Sequence, residues 1–151
     1  MHTDYNDYDT IYWVFTQLCN DQCGHCYNNS GPYGQRITEE ECMKIISNLP
    51  TKLTRLIISG GEPLAEKNKL YNILDALKEK YDGSTKVIIQ TNGDLMTEKI
   101  LDTLLAKGVR GFSIASLDRF HKHAGAKLES LKKLFNSRGL IDAMPFITMG
   151  E

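Results

Sequence analysis

The chain alternates between short, mostly apolar runs and longer segments in which apolar residues recur with a helical period. Each apolar run is bounded by Gly, Asn or Asp, which is typical of a strand that is buried on both faces. The runs cover residues 11–18, 55–59, 86–90, 111–115 and, more weakly, 143–148. This alternation predicts an α/β protein with a parallel sheet and right-handed crossovers, built either as a doubly wound sheet or as a (β/α) barrel.

Four helical segments separate the apolar runs. In the first, Thr38 followed by Glu41 has the pattern of a capping box, and each of the other three ends near a glycine. The positions of their apolar residues predict one buried face per helix. The residues expected on these faces are Met43, Ile45, Ile46 and Leu49, then Leu70, Ile73, Leu74, Leu77 and Tyr81, then Ile100, Leu101, Leu104 and Leu105, and finally Leu128, Leu131, Leu134 and Phe135.

The length of 151 residues fits one domain. The chain stops just after the fifth apolar run, so that this strand has no helix after it. A parallel barrel, even a partial one, normally needs at least one more unit. We therefore expect residues 1–151 to form one core domain that is incomplete at its C-terminal end, as a fragment of a longer protein. The alternative is that a partner chain supplies the last elements.

Charge and hydropathy argue against a nucleic-acid or membrane partner. The formal net charge is −1, and no apolar run approaches the roughly 20 residues that cross a bilayer. The first ten residues are polar and acidic, unlike a signal peptide. We therefore expect a cytoplasmic protein, in which clustered cysteines are more often metal ligands or catalytic groups than disulfides.

Three cysteines, Cys19, Cys23 and Cys26, follow the first predicted strand within eight residues. Iron–sulfur clusters bind cysteine thiolates, and three ligands on a four-iron cluster leave one iron open for a chelating molecule. The loop also follows the carboxyl end of a strand, where barrel active sites are built. A zinc site is the alternative, with His25 or Cys42 as the fourth ligand. The residues favour the cluster and leave zinc and redox roles open.

The spacing Cys-x3-Cys-x2-Cys, with an aromatic residue (His25) directly before the last cysteine, resembles the signature of the radical S-adenosylmethionine (SAM) superfamily. After the second predicted strand, the segment Ser-Gly-Gly-Glu-Pro at residues 59–63 is similar to the family's Gly-Gly-Glu-Pro motif. The resemblance covers about residues 11–140. It implies a partial TIM barrel of the radical SAM type and a [4Fe–4S] cluster on the three cysteines.

The resemblance also implies a SAM site at the ends of the strands. Two glycines let the backbone approach a ligand closely, and the carboxylate of Glu62 can bind an ammonium group. The polar ends of the third and fourth strands look like those that contact ribose and methionine in the family, whereas the family's pattern on the fifth strand is not recognisable. For Asn92 a simple turn, and for Asp118 a helix N-cap, are the alternatives. The implied cofactor-binding residues are Gly60, Gly61, Glu62, Asn92, Ser116 and Asp118, with His25 and Tyr27 near the adenine.

The activity that the resemblance implies is reductive cleavage of SAM at the cluster. The resulting 5′-deoxyadenosyl radical abstracts hydrogen from a substrate, and an outside one-electron donor of the flavodoxin or ferredoxin type is expected. This activity fits peptide or protein modification, activation of a glycyl-radical enzyme and small-molecule chemistry. The sequence Cys-Gly-His-Cys-Tyr-Asn slightly favours a peptide or protein substrate. The alternative from another class is a zinc-binding or iron–sulfur interaction module without turnover.

Overall fold

The computed structural model describes residues 7–16, 37–114, 128–143 and 146–149. Six strands form one sheet: β1 (Asp7–Thr16), β2 (Lys52–Gly60), β3 (Lys86–Thr91), β4 (Val109–Ile114), β5 (Leu140–Ala143) and β6 (Phe146–Met149). The α-helices are α1 (Glu39–Asn48), α2 (Lys67–Tyr81), α3 (Glu98–Ala106) and α4 (Leu128–Ser137). A short 3₁₀ helix (Pro63–Glu66) lies directly before α2.

The order of the strands distinguishes between the two predicted architectures. The sheet runs β1-β2-β3-β4-β6-β5, and the first four strands are parallel neighbours in chain order. One helix separates each pair of these strands, so right-handed crossovers put all three helices on the same face. A doubly wound sheet reverses its strand order at a switch point. The four parallel strands are therefore the start of a (β/α) barrel, and the predicted partial barrel is confirmed.

The end of the chain differs from the prediction of one parallel strand at 143–148. The structure has one strand mostly before this run, β5, and one at its end, β6; β5 pairs antiparallel with β6, and β6 pairs antiparallel with β4. Only two residues separate β5 from β6, which suffices for a hairpin but not for the crossover of a dozen or more residues that a parallel pair needs. The prediction of a fifth parallel strand was therefore wrong, and the parallel part ends at β4.

The helices pack on one face of the sheet around a single apolar core. All five residues predicted for the buried face of α2 are buried, and Leu101 and Leu104 of α3 are buried as predicted. In α1 the fully buried positions are Cys42 and Ile46, whereas the other predicted residues of this helix are partly buried. Cys42 is thus a core residue.

The last helix packs on β4. Leu131 and Phe135 of α4 are buried, and Leu134 packs partly buried against the same core. The ring of Phe135 stacks on that of Phe112, with 5.3 Å between the centroids. The side chain of Leu128 lies outside the described residues. These contacts hold the helical layer across the sheet from β1 to β4.

Both ends of α1 are capped by side chains. The Thr38 hydroxyl accepts a hydrogen bond from the Glu41 amide at 3.1 Å, and the Glu41 carboxylate accepts one from the Thr38 amide at 3.1 Å. The predicted capping box is therefore confirmed. At the other end, the Lys80 ammonium donates to the carbonyl oxygens of Ile46 and Leu49 at 2.7 and 2.8 Å.

Candidate active site

The carboxyl ends of the four parallel strands lie at one edge of the sheet. Thr16 at the end of β1 is opposite Gly60, and Thr91 at the end of β3 is opposite Ile114. The pairing of β2 with β3 aligns these two pairs with each other. Cys19 follows Thr16 by three residues in the sequence. The segments that carry the predicted site residues therefore begin at a common edge.

Seven of the predicted site residues lie outside the described residues, so their predicted roles stay predictions. They are Cys19, Cys23, Cys26, His25, Tyr27, Ser116 and Asp118. The structure describes the other four predicted residues, which are Gly60, Gly61, Glu62 and Asn92.

Gly60 lies against the backbone of β1. Its φ is +139°, and a β-carbon at this position would lie 2.1 Å from the carbonyl oxygen of Thr16. The next amide, that of Gly61, donates a hydrogen bond to the same oxygen at 2.6 Å. A side chain at residue 60 is thus excluded by the neighbouring strand, whether or not a ligand also approaches. The glycine pair joins the end of β2 to the end of β1.

The side chain of Glu62 is fully buried and faces three hydrogen-bond donors. Its Oε2 accepts hydrogen bonds from the Leu64 amide at 3.0 Å and from the Thr91 hydroxyl at 2.6 Å. Its Oε1 accepts one from the Asn92 amide at 2.8 Å. The carboxylate therefore links the turn after β2 to the end of β3.

Burial dominates the acidity of this group. Because the carboxyl group is removed from water, the pKa of Glu62 rises to about 7, although the donors from Thr91, Asn92 and Leu64 act to lower it. The negative charge of Asp94 adds to the increase. The group thus changes its protonation near neutral pH, which is unusual for a glutamate.

Asn92 forms the turn that was predicted as its alternative role. Its side-chain oxygen accepts a hydrogen bond from the Asp94 amide at 2.9 Å, and the residue is only 7% exposed. Thr91, which sequence analysis missed, binds Glu62 and also accepts a hydrogen bond from the Gly93 amide at 3.1 Å. The available signal was a hydroxyl residue at the end of an apolar strand, directly before an Asn-Gly turn.

The face of the sheet opposite the helices carries a polar row just below these strand ends. Ser59, Gln90 and Ser113 alternate with residues of the apolar core, so they point to the other face. Gln90 is paired with Ser113, and Ser59 with Val14 of β1, whose side chain is 43% exposed. In a barrel this face is the interior, so the row lines the space below the candidate site.

Cys42 is poorly suited to the zinc alternative. Its side chain is fully buried in the core, and burial raises the pKa of its thiol to about 11. A zinc ligand has to be a thiolate, which this environment disfavours at neutral pH. Within residues 7–16, 37–114, 128–143 and 146–149, no group of three or more His, Cys, Asp or Glu side chains is placed to hold a metal ion.

A family model described as the radical SAM superfamily matches residues 13–139. The chain belongs to the radical SAM superfamily. Members of this superfamily are enzymes that use a [4Fe–4S] cluster and SAM, which is also abbreviated AdoMet. The predicted family and its two cofactors are therefore confirmed.

Two curated proteins are similar over most of this chain. The AdoMet-dependent heme synthase of Methanosarcina barkeri is 32% identical over 108 residues, which are 70% of this chain and 30% of that protein. The S-adenosyl-L-methionine-dependent 2-deoxy-scyllo-inosamine dehydrogenase of Niallia circulans is 32% identical over 116 residues, 72% of this chain and 42% of that protein. The chain thus spans less than half the length of these relatives.

Solved structures of the superfamily share the fold. BtrN in complex with AdoMet and 2-DOIA superimposes with a TM-score of 0.56 at 27% identity, over 71% of this chain and 45% of that chain. Native anSMEcpe with bound AdoMet has a TM-score of 0.52 at 19% identity, over 85% of this chain and 41% of that chain.

No helix among the described residues is long and apolar enough to span a membrane.

Proposed function

We propose that residues 1–151 form the core domain of an enzyme that cleaves SAM reductively and removes a hydrogen atom from a substrate. The observation that carries the proposal is the position of the Gly-Gly-Glu turn at the edge of the partial barrel where β1 also ends. The Gly60–Gly61 turn binds the end of β1 there, three residues before Cys19. When bound, the cluster and SAM supply an electron and a 5′-deoxyadenosyl radical, and the chain binds, orients and shields them.

The cluster ligands in this proposal are Cys19, Cys23 and Cys26. Their chemistry fits, because three thiolates from one short loop leave a four-iron cluster one open coordination position. The described part of the structure fits as well, since the strand that leads into this loop is anchored at Thr16 by the Gly61 amide at 2.6 Å. The zinc alternative would need a fourth protein ligand. The buried Cys42 is unsuitable, which leaves His25, the neighbour of Cys26, as the candidate.

The SAM site in this proposal lies along the ends of β2, β3 and β4. The turn at Gly60, Gly61 and Glu62 orients the methionine part, and Asn92 after β3 and the polar segment after β4 contact the methionine and ribose. Support comes from the closeness of the turn to Asn92. The backbone amide of Asn92 and that of Leu64 in the 3₁₀ helix after the turn both donate to the Glu62 carboxylate. The further contacts proposed are Ser116 and Asp118 for the ribose and methionine, and His25 and Tyr27 for the adenine.

We propose a peptide or protein as the substrate class, because the loop with the cluster ligands contains the sequence Cys-Gly-His-Cys-Tyr-Asn. A small molecule is the second candidate. It is favoured by the names of two relatives, a 2-deoxy-scyllo-inosamine dehydrogenase and, at 32% identity over 132 residues, a GTP 3′,8-cyclase of Ectopseudomonas mendocina. Radical SAM enzymes need a reductant, and we propose a flavodoxin or ferredoxin as the one-electron donor.

The test is anaerobic reconstitution of the protein with iron and sulfide, followed by addition of SAM and dithionite. We expect release of 5′-deoxyadenosine and methionine by the wild type and by the Cys42→Ala variant, which serves as the matched control. The Cys23→Ala variant should lose both the cluster and the cleavage. Cleavage that persists in Cys23→Ala would show that the cluster ligands are wrong. A colourless zinc protein, or a cluster whose spectrum ignores SAM, would support the interaction module without turnover.

A further inference from the structure

We infer that Glu62 and Thr91 are a pair of positioning residues that hold the SAM-binding turn in place from inside the protein. The inference rests on the proposed function and deepens it, because it assigns Glu62 an indirect role at the site. Thr91 has no role in the predicted site, and it would act on SAM only through Glu62 and the turn.

The first step is the occupancy of the carboxylate. Two oxygens offer about four lone-pair positions, and three donors of the chain already point at them from Leu64, Thr91 and Asn92. The side chain has no exposed surface. Groups of the protein itself thus occupy most of the hydrogen-bonding positions of this carboxylate, which leaves little of it for a ligand. The Gly60–Gly61 backbone, in contrast, lies at the strand ends, where the SAM site is proposed.

The second step is what the hydrogen bonds connect. Leu64 and Glu62 belong to the turn and 3₁₀ helix after β2, whereas Thr91 ends β3 and Asn92 follows it. On the other side of the turn, the Gly61 amide is bound to the carbonyl oxygen of Thr16 at 2.6 Å. One continuous series of hydrogen bonds therefore connects the ends of β1, β2 and β3, with Glu62 between the last two.

The third step is how a loss at Thr91 would reach SAM. Thr91 is 2% exposed, so its hydroxyl group is a buried donor to a carboxylate, one of the stronger kinds of hydrogen bond. Without it, Oε2 of Glu62 keeps only the Leu64 amide, and the Gly93 amide loses its acceptor. Among these hydrogen bonds, that of the Asn92 amide alone then holds the turn to the end of β3, so the turn moves more easily relative to that strand. A displaced turn binds the methionine part of SAM less well, although nothing that touches SAM has been replaced.

The variant that tests this step is Thr91→Val, which keeps the volume and removes the hydroxyl. The matched control is Thr85→Val, because the buried Thr85 hydroxyl donates to the Leu53 carbonyl at 2.6 Å at the opposite end of the sheet. In cluster-loaded protein, we expect Thr91→Val to weaken SAM binding about tenfold or more. Thr85→Val should change the Kd for SAM by less than about twofold, although it should lower the thermal stability about as much as Thr91→Val does.

A spectroscopic readout separates positioning from a general loss of stability. The change that SAM causes in the electron paramagnetic resonance spectrum of the reduced cluster should be diminished in Thr91→Val at a SAM concentration that saturates the wild type. Iron content per protein should be unchanged. Thr91→Ser, which restores the hydroxyl, should restore both the Kd and the spectrum. A Thr91→Val protein that binds SAM like the wild type, or a Thr91→Ser protein as impaired as Thr91→Val, overturns the inference.

A measurement on the unmodified, cluster-loaded protein covers the case in which Thr91→Val does not fold. The amides of Gly61, Leu64 and Asn92 should be protected from hydrogen exchange before SAM is added, because their acceptors are already in place. Exchange at the rate of an exposed loop until SAM binds would overturn the inference. Failure of the wild type to release 5′-deoxyadenosine would instead count against the proposed function, whatever the variants do.

Discussion

At the scale of single residues, the motif Gly-Gly-Glu was predictable, but the physical reason for each of its members was not. The sequence suggested glycines that admit a ligand and a glutamate that binds an ammonium group. In the structure, the missing side chain of Gly60 allows the backbone of β1 to approach closely. The carboxylate oxygens of Glu62 accept hydrogen bonds from two segments of the chain. These reasons depend on neighbours far along the chain, which a local pattern does not contain.

Gly60→Ala should be among the most damaging single substitutions. A methyl group 2.1 Å from the Thr16 oxygen has to move the main chain of one strand, and we expect a loss of at least about 3 kcal/mol in the free energy of unfolding. Gly83→Ala is the control, because Gly83 also has a positive φ but no atom within 4 Å of the added β-carbon. It should cost about 1–2 kcal/mol. Equal losses in urea titrations of the two variants would contradict the crowding at Gly60.

The protonation of Glu62 predicts a component of stability that changes with pH. Its pKa is about 7 in the folded protein and 4.5 without the protein environment, so between these values the folded state binds more protons than the unfolded state. The free energy of unfolding should therefore fall as the pH rises from 4.5 to 7, by up to about 3 kcal/mol from this group.

Glu62→Gln removes the titration and isolates the effect. Other groups, such as Asp102, whose pKa is lowered by its hydrogen bond to Arg138, contribute equally to both proteins and cancel. The difference in unfolding free energy, wild type minus Glu62→Gln, should decrease between pH 4.5 and pH 7 in urea titrations. A difference that stays constant or increases over this range would contradict the raised pKa.

At the scale of elements, the predictions succeeded where local rules apply. The buried stripe of α2 and the capping box of α1 each depend on residues that lie within a few positions of each other in the sequence. The pair β5 and β6 was missed, because its existence depends on a break inside one apolar run and on pairing with β4. A short apolar run has no periodicity that reveals such a break or the direction of pairing.

The capping box gives a prediction for α1. Thr38→Ala removes the acceptor of the Glu41 amide, so the free energy of unfolding should fall by about 1 kcal/mol. Glu40→Ala is the control, because this exposed residue stands in the same first turn and does not take part in the box. It should change stability by less than about 0.5 kcal/mol. If both substitutions cost the same in chemical denaturation, the box contributes nothing beyond the acidic first turn.

At the scale of the whole molecule, the sequence left two architectures open. Periodicity predicts which segments are strands, but it does not say whether the fourth strand joins the third or returns to the first. The structure resolves this through the order β1-β2-β3-β4, and the family match agrees with it. The resemblance carried more information than the composition, because its motifs fall at corresponding ends of successive strands.

Binding of SAM should stabilise the cluster-loaded protein as a whole. A ligand that binds only the folded state adds about 2.7 kcal/mol when present at 100 times its Kd, so the Tm should rise as SAM is added. Cys23→Ala, which lacks the cluster in our proposal, should show a much smaller rise at equal SAM. An identical shift in both proteins would mean that SAM binds without the cluster.

The hydrogen bond from Gly61 to Thr16 joins two segments that leave the ribosome at different times. All three clustered thiols are synthesised before the turn that steadies the base of their loop. A growing chain that ends before residue 61 therefore lacks the donor for the Thr16 carbonyl oxygen, so the end of β1 gains its native partner only after β2 and the turn that follows it have been made.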